Sequence, residues 1–275
     1  MLVIAGANGS GKTTAMEILC GLRLPTSGRA EFLGQPVVPG GAHRNWMGVQ
    51  LQVGGLPQRL RVREALKAAE CLYRDAGDVD VIIDALGLRS RMSQMVDKLS
   101  GGWQRRLDIA IACIGSPRLL VLDEPTSGLD PVARTALWEF LRDRRSKGVA
   151  VLTSTHDLAE AETYADRLLV LDEGRAILRG PVSEVLSAAG GDHRLRVLSG
   201  DPGCVSAIRA QGHTPLEAGS AISVIGDSGG LTALREKLER LRDAGEVKFS
   251  DVLLGSVRLE DVFAFAAASR KKETT

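Results

Sequence analysis

The chain has 275 residues with 35 basic and 34 acidic side chains, a formal net charge of +1, and is 44% hydrophobic. That length holds one large domain or two modest ones with a real core, and the balanced charge excludes a nucleic-acid binder held by bulk electrostatics. No apolar run reaches membrane-spanning length, the nearest (109–122) being broken by Ser116-Pro117-Arg118, and Cys20, Cys71, Cys113 and Cys204 lie far apart with no CxxC pair, so free thiols in a reducing compartment are expected, with no disulfide and no metal site built on cysteine.

In chain order, Leu2–Ala5 reads as a buried strand. It runs into Gly6-Ala7-Asn8-Gly9-Ser10-Gly11-Lys12-Thr13, which fits G-x-x-x-x-G-K-[ST], the Walker A pattern. Glycines let such a loop turn tightly and present backbone N–H groups to phosphate oxygens. A helix N-terminus then adds free N–H groups and a favourable dipole. Residues 15–22 read as that helix, with Ile18, Leu19 and Leu22 on one face. Gly6, Asn8, Gly9, Ser10, Gly11, Lys12, Thr13 and Thr14 are the expected nucleotide-binding residues. Lys12 is expected to reach the β and γ phosphates, and the Thr13 hydroxyl to hold Mg²⁺.

From 56 to about 115 the pattern is helical, with helices expected over 62–74 and 79–86, a helical insertion in an α/β core. Leu119–Leu122 is an apolar strand ending in two acids, Asp123 and Glu124. Alone, these could be solvated acids at a strand end. After a phosphate loop they suit a Mg²⁺ ligand, Asp123, and a group that polarises the attacking water, Glu124. Strands are also expected over 149–154 and 168–171. The alternation up to about residue 185 argues for an α/β domain with a largely parallel sheet. The string Leu-Leu-Val-Leu-Asp-Glu occurs at 119–124 and again at 168–173. The second copy continues into Gly174-Arg175, so Glu173 reads as a turn residue between two strands.

Gly190-Gly191-Asp192 reads as a linker. Beyond it come an expected strand (195–199), helix (203–211), short extended piece (214–217), strand (221–226), helix (231–243), strand (247–254) and closing helix (257–268). The order β-α-β-β-α-β suggests a small ferredoxin-like domain. The expected division is 1–189, 193–268 and a basic polar tail, 269–275.

Other motifs carry a resemblance. Lys98-Leu99-Ser100-Gly101-Gly102-Trp103-Gln104-Arg105-Arg106 resembles the signature motif of ABC transporter ATPases. Pro125-Thr126-Ser127-Gly128-Leu129-Asp130 is similar to that family's D-loop, Thr153-Ser154-Thr155-His156 to its H-loop, and Met47-Gly48-Val49-Gln50-Leu51-Gln52 to its Q-loop. Gln52 aligns better than Gln50, because 60–64 then falls where the family has Leu-Thr-Val-x-Glu. The resemblance covers residues 1 to about 185 and implies a P-loop NTPase fold, ATP and Mg²⁺ as ligands, and ATP hydrolysis. It further implies a homodimer or heterodimer of ATPase domains, with Ser100, Gly101 and Gly102 addressing the nucleotide of the facing copy. Asp130 would reach across that dimer, His156 would contact the γ-phosphate, and Gln52 would touch the metal or water. The implied partner is a transmembrane permease, with the chain cytoplasmic and peripheral on the inner face of the membrane and no nucleic acid involved.

Two departures stand out. Trp103 replaces the Gln most usual after the signature glycines, at some cost to ribose contacts. Family members also usually carry antiparallel strands before the Walker A loop, with an aromatic that stacks on adenine, whereas the first aromatic here is Phe32. The expectation is a start inside a longer natural chain; the other reading is a shortened paralogue that binds ATP weakly or not at all. Ser256-Val257-Arg258-Leu259-Glu260-Asp261-Val262-Phe263 resembles the ending of drug-resistance and polyketide-antibiotic exporter ATPases, implying efflux of a drug-like or other small hydrophobic substrate. An amphipathic helix burying Leu259, Val262 and Phe263 accounts for the same residues without a function. A soluble ABC ATPase of repair or translation is the remaining alternative, although neither a second ATPase half nor a coiled-coil insertion is seen.

Overall fold

The computed structural model describes residues 1–51, 55–73 and 76–273. By packing, the chain divides into two compact units. The first holds Met1–Asp157 with Tyr164–Asp166 and Leu171–Arg175; the second holds Leu158–Thr163, Arg167–Val170 and the chain from Ala176 onward.

The first unit runs through β1 (Leu2–Ala5), α1 (Lys12–Leu19), the short strands β2 (Glu31–Phe32) and β3 (Gln35–Pro36), β4 (Met47–Gln50), α2 (Val62–Glu70), α3 (Val79–Ala85), α4 (Gly101–Ile114), β5 (Leu119–Leu122), α5 (Pro131–Ser146) and β6 (Ala150–Thr155). Four of its strands pair in parallel in the order β4-β5-β6-β1, with Gln50 beside Leu122, Leu122 beside Thr153, and Ala5 beside Thr155. Central strands of a parallel sheet are covered on both faces and need apolar residues throughout. All four residues of β5 are buried, which is why it reads as an unbroken apolar run. The parallel pairing also brings the four C-terminal strand ends to one edge of the sheet. What leaves that edge is Gly6 after β1, Leu51 after β4, Asp123 after β5 and His156 after β6. In open α/β sheets ligands bind outside that edge.

Helix α4 lies close against β4. A Cβ at Gly48 would stand 1.9 Å from the Ala112 carbonyl oxygen, so no larger residue fits without moving the helix. Helix α5 opens with Pro131 behind Asp130, whose carboxylate accepts the Ala133 N–H at 2.9 Å, a capped start with proline in the first turn. Its Trp138 is fully buried and stacks on Tyr164, ring centroids 4.8 Å apart.

The chain continues through α6 (Leu158–Tyr164), β7 (Arg167–Asp172), β8 (Arg175–Pro181), α7 (Val182–Ser187), β9 (His193–Leu198), α8 (Pro202–Ala210), β10 (Leu216–Ala218), β11 (Ala221–Gly226), α9 (Ser228–Asp243), β12 (Asp251–Ser256) and α10 (Leu259–Glu273). From β9 to β12 the order is β-α-β-β-α-β. The four strands form one antiparallel sheet, β10-β11-β9-β12, the ferredoxin-like arrangement. Its core is built from Leu195, Val197, Ile208, Val224, Leu231 and Leu238.

Several boundaries differ from the sequence reading. The helix expected over 15–22 is α1 and starts at Lys12, because the phosphate loop feeds straight into it through Gly11, held at φ 102°. Helix α2 closes at Glu70, and Arg74 lies outside the described residues. Helix α9 starts at Ser228 because Asp227 caps it, accepting the Gly230 N–H at 2.8 Å, which offsets the poor helix propensity of two glycines. The strand expected over 247–254 begins only at Asp251. Before it, the chain is tied to the corner ahead of α8. The Asp201 N–H donates to the Lys248 carbonyl, and the Lys248 N–H donates to Asp201 Oδ2, both at 3.0 Å. Strand β4 was not anticipated, since Gly48 and Gln50 interrupt its apolar residues. Among the described residues no helix is long and apolar enough to cross a membrane.

Candidate functional site

The loop after β1 is shaped by glycine at its first position. Gly6 has φ 151°, and a Cβ on it would stand 2.2 Å from the Leu171 carbonyl oxygen. The loop is braced from the side as well, because the Gly174 N–H donates to the Ser10 carbonyl at 3.0 Å. Glu173 and Gly174 both have positive φ, 47° and 74°, so Glu173 is a turn residue as read, and its turn supports the loop. Lys12 is buried and folds back over the loop, its Nζ donating to the carbonyls of Gly6 at 2.8 Å and Ala7 at 3.0 Å. Asn8, Gly9, Gly11, Lys12, Thr13, Thr14 and Glu124 line a depression of about 370 Å³.

Two acids approach this loop from β5. Asp123, 1% exposed, accepts the Thr13 hydroxyl at 2.7 Å on Oδ2 and the Ser154 hydroxyl on Oδ1. Its backbone is held too: its N–H donates to the Gln50 carbonyl at 2.8 Å, and its own carbonyl accepts from Gln50 Nε2 at 3.3 Å and Arg105 at 3.4 Å. Glu124 follows at φ 47°, a left-handed conformation uncommon for a residue with a Cβ. Its N–H donates to Ser154 Oγ at 2.8 Å. Its carboxylate lies 3.8 Å from Lys12 Nζ and 3.3 Å from His156 Nδ1. The imidazole of His156 is more than half exposed.

The donor set fits Mg²⁺. Thr13 Oγ and Asp123 Oδ2 are hard oxygen donors already facing one another, and Mg²⁺ takes one or two such protein ligands and completes its octahedron with water and phosphate oxygens. Among the described residues no group of three or more His, Cys, Asp and Glu side chains forms an all-protein cage.

Ser100, Gly101, Gly102 and Asp130 are not among the residues that line the depression. Ser100 sits at the N-cap position of α4, yet its side chain makes no capping bond among the described residues. A Cβ at Gly101 would meet no described atom within 4 Å, whereas one at Gly102 would stand 3.2 Å from Leu129 Cδ2, so the first turn of α4 is open at Gly101 alone. Trp103 is held between two guanidinium groups, Arg91 at 5.0 Å and Arg106 at 4.5 Å from its ring centroid, and both contacts are of cation–π type. Further along α4, burial pushes the Asp108 carboxyl up to about 6, opposed by Arg105. Asp130 caps α5 within its own chain. Gln52 lies outside the described residues.

Ser154 has no role in the sequence reading beyond membership of a motif. It is fully buried, and one hydroxyl serves both acids, donating to Asp123 and accepting from the Glu124 N–H. It sits between Thr153 and Thr155 at the polar end of β6, so no local pattern sets it apart. Ser154→Ala is expected to strand a buried carboxylate oxygen and a buried N–H, a loss of about 1–3 kcal/mol, read as a lower urea midpoint with an unchanged slope.

The sequence model of the family described as ABC transporter matches residues 1–127. Nod factor export ATP-binding protein I of Rhizobium etli is 37% identical over 206 residues, covering 72% of this chain and 65% of the relative. The protein of that name in Burkholderia orbicola is 36% identical over 205 residues, 72% of this chain and 67% of the relative, and that of Neorhizobium galegae 38% over 212 residues, 74% and 61%. The chain thus spans about two thirds of the length of these relatives. A solved structure described as the ATP binding subunit of an ABC transporter superposes with a TM-score of 0.61 at 29% identity, over 68% of this chain and 81% of the other.

Proposed function

As the chain belongs to the ABC transporter ATP-binding family, we propose that it is the ATP-hydrolysing subunit of an exporter, acting with a separate membrane-spanning permease. The observation that carries this reading is the meeting of Lys12, Thr13, Asp123, Glu124 and His156 at one edge of the sheet. In this reading the loop N–H groups and Lys12 bind the phosphates, and the Lys12 ammonium exchanges the Gly6 and Ala7 carbonyls for phosphate oxygens. Thr13 and Asp123 would hold Mg²⁺, which supplies charge neutralisation on the phosphates when bound. Glu124 takes the proton from the attacking water, and Lys12 and His156 on either side orient its carboxylate.

Residues 1–189 then form the ATPase domain, 193–268 an accessory domain and 269–275 a tail. The exposure of Ser100 and Gly101 supports a second copy facing Ser100, Gly101 and Gly102, with Asp130 at that contact, and Gln52 belongs in the reading as a metal or water ligand. Work at the inner face of the membrane follows from partnership with a permease. A small hydrophobic or drug-like cargo is favoured by the ending at 256–263, and the relatives are named for Nod factor export.

The test is titration of the purified chain with ATP and Mg²⁺, following binding and phosphate release. Saturation in the range of roughly 1 μM to 1 mM, as is usual for enzyme substrates, with release that needs Mg²⁺, is the expected result. No binding at millimolar ATP would overturn the proposal.

A further inference from the structure

We infer that Glu162 is a positioning residue for His156, fastening the short helix after His156 to the first turn of the closing helix α10. This inference rests on the reading of the chain as an ATPase with His156 at the phosphate.

The polypeptide passes from His156 through Asp157 directly into α6, whose span is Leu158–Tyr164. At the turn, the Asp157 N–H donates to Thr155 Oγ at 3.0 Å. A helix of seven residues has almost no stability of its own, so its direction is set by what its side chains grip. Ala161 is fully buried and Tyr164 stacks on Trp138, and a further grip is made by Glu162. Glu162 Oε2 accepts the Leu259 N–H at 2.7 Å, and Leu259 is the first residue of α10. That N–H is one of the donors a helix leaves unpaired at its start, where a carboxylate is also favoured by the helix dipole.

The receiving end is rigid. Leu259 is fully buried and Val262 is 4% exposed. Asp261 accepts the Arg258 N–H at 2.9 Å and binds Arg194 of β9 through both carboxylate oxygens, at 2.8 and 3.0 Å. The first turn of α10 is thereby pinned to the sheet of the accessory domain by Arg194 and to α6 by Glu162. In the Leu259-Glu260-Asp261-Val262-Phe263 stretch, the two buried apolar residues alone would make a packing helix. The backbone N–H taken by Glu162 and the carboxylate taken by Arg194 make it an anchor as well. Among the described residues the hydrogen bond of the Glu162 carboxylate is to Leu259 and not to a site residue, so its influence passes along the chain to His156, whose imidazole meets Glu124 at 3.3 Å.

The test compares Glu162→Ala, Glu162→Gln and Glu162→Asp in the full chain, each also combined with His156→Ala. The glutamine keeps an acceptor oxygen; the aspartate keeps the charge but loses reach, and it stands in for the alanine should that chain not fold. The expected result is a roughly tenfold fall in kcat for the alanine and aspartate variants with KM for ATP unchanged, as for a catalytic group displaced from a distance, and near-complete rescue by glutamine. With His156→Ala already present, the loss at 162 should disappear. Without nucleotide, amide hydrogen exchange in the 151–163 segment should speed up in the alanine and aspartate variants and not in the glutamine variant. Unchanged exchange, or losses that multiply with His156→Ala, would overturn the inference. Faster exchange in the alanine and aspartate variants, together with a wild-type chain that hydrolyses no ATP, would instead sink the ATPase reading and leave the mechanical link standing.

Discussion

Glu124→Gln is expected to stop ATP turnover while leaving ATP binding intact, a fall of about 10²–10⁴-fold in kcat, the usual contribution of a general base. Glutamine has nearly the same shape, so the φ 47° turn and the N–H bond to Ser154 Oγ at 2.8 Å persist. What is lost is the ability to take a proton. The neighbours make the effect specific. Glu124 lies between Lys12 and His156, so neutralising it also frees Lys12 from a competing anion, and ATP affinity should hold or rise. Phosphate release and equilibrium binding measured on the same preparation separate the two. Hydrolysis that continues undiminished would remove Glu124 from the base role.

Lys12→Ala is expected to do the opposite and remove binding. A hydrogen bond to a charged group contributes about 1.5–3 kcal/mol, so the ATP dissociation constant should rise about ten- to hundredfold. A second effect comes from its present contacts. Lys12 is 5% exposed and satisfied by the Gly6 and Ala7 carbonyls, so its removal leaves those acceptors short of a donor. The nucleotide-free chain should therefore also melt earlier. Weak binding with an unchanged melting temperature would mean that the ammonium contributes nothing to holding the loop.

The parts of this molecule that were legible in the sequence are those whose signals are local. The run Leu2–Ala5 into a glycine loop and then a helix needs only about twenty adjacent residues to be recognised. Strand β5 ending in Asp123 and Glu124 is equally self-contained. The alternation after residue 193 was enough for the order of the small antiparallel domain, since each piece carries its own period. The positions that meet at the sheet edge were therefore identified in advance, and what each does there is what the substitutions at 12 and 124 decide. Long-range partners were not legible. Ser154 meets Asp123 from 31 residues away, Gly174 reaches Ser10 across the loop, and Glu162 finds Leu259 at a separation of 97. Nothing in a one-dimensional pattern distinguishes such a serine, glycine or glutamate from its solvated counterparts.

The backbone at Glu124 has a consequence for how this chain can change over generations. An L-residue held in the left-handed region costs roughly 1–2 kcal/mol that glycine would not, and a domain's whole stability is only about 5–15 kcal/mol. At this position the most comfortable residue for the fold and the residue proposed to serve hydrolysis are different ones. A lineage released from the need to hydrolyse ATP would drift toward glycine or asparagine at 124 and become harder to unfold as it did so. In the proposed reading, an acid at 124 trades durability for work on ATP, against the local preference of the backbone.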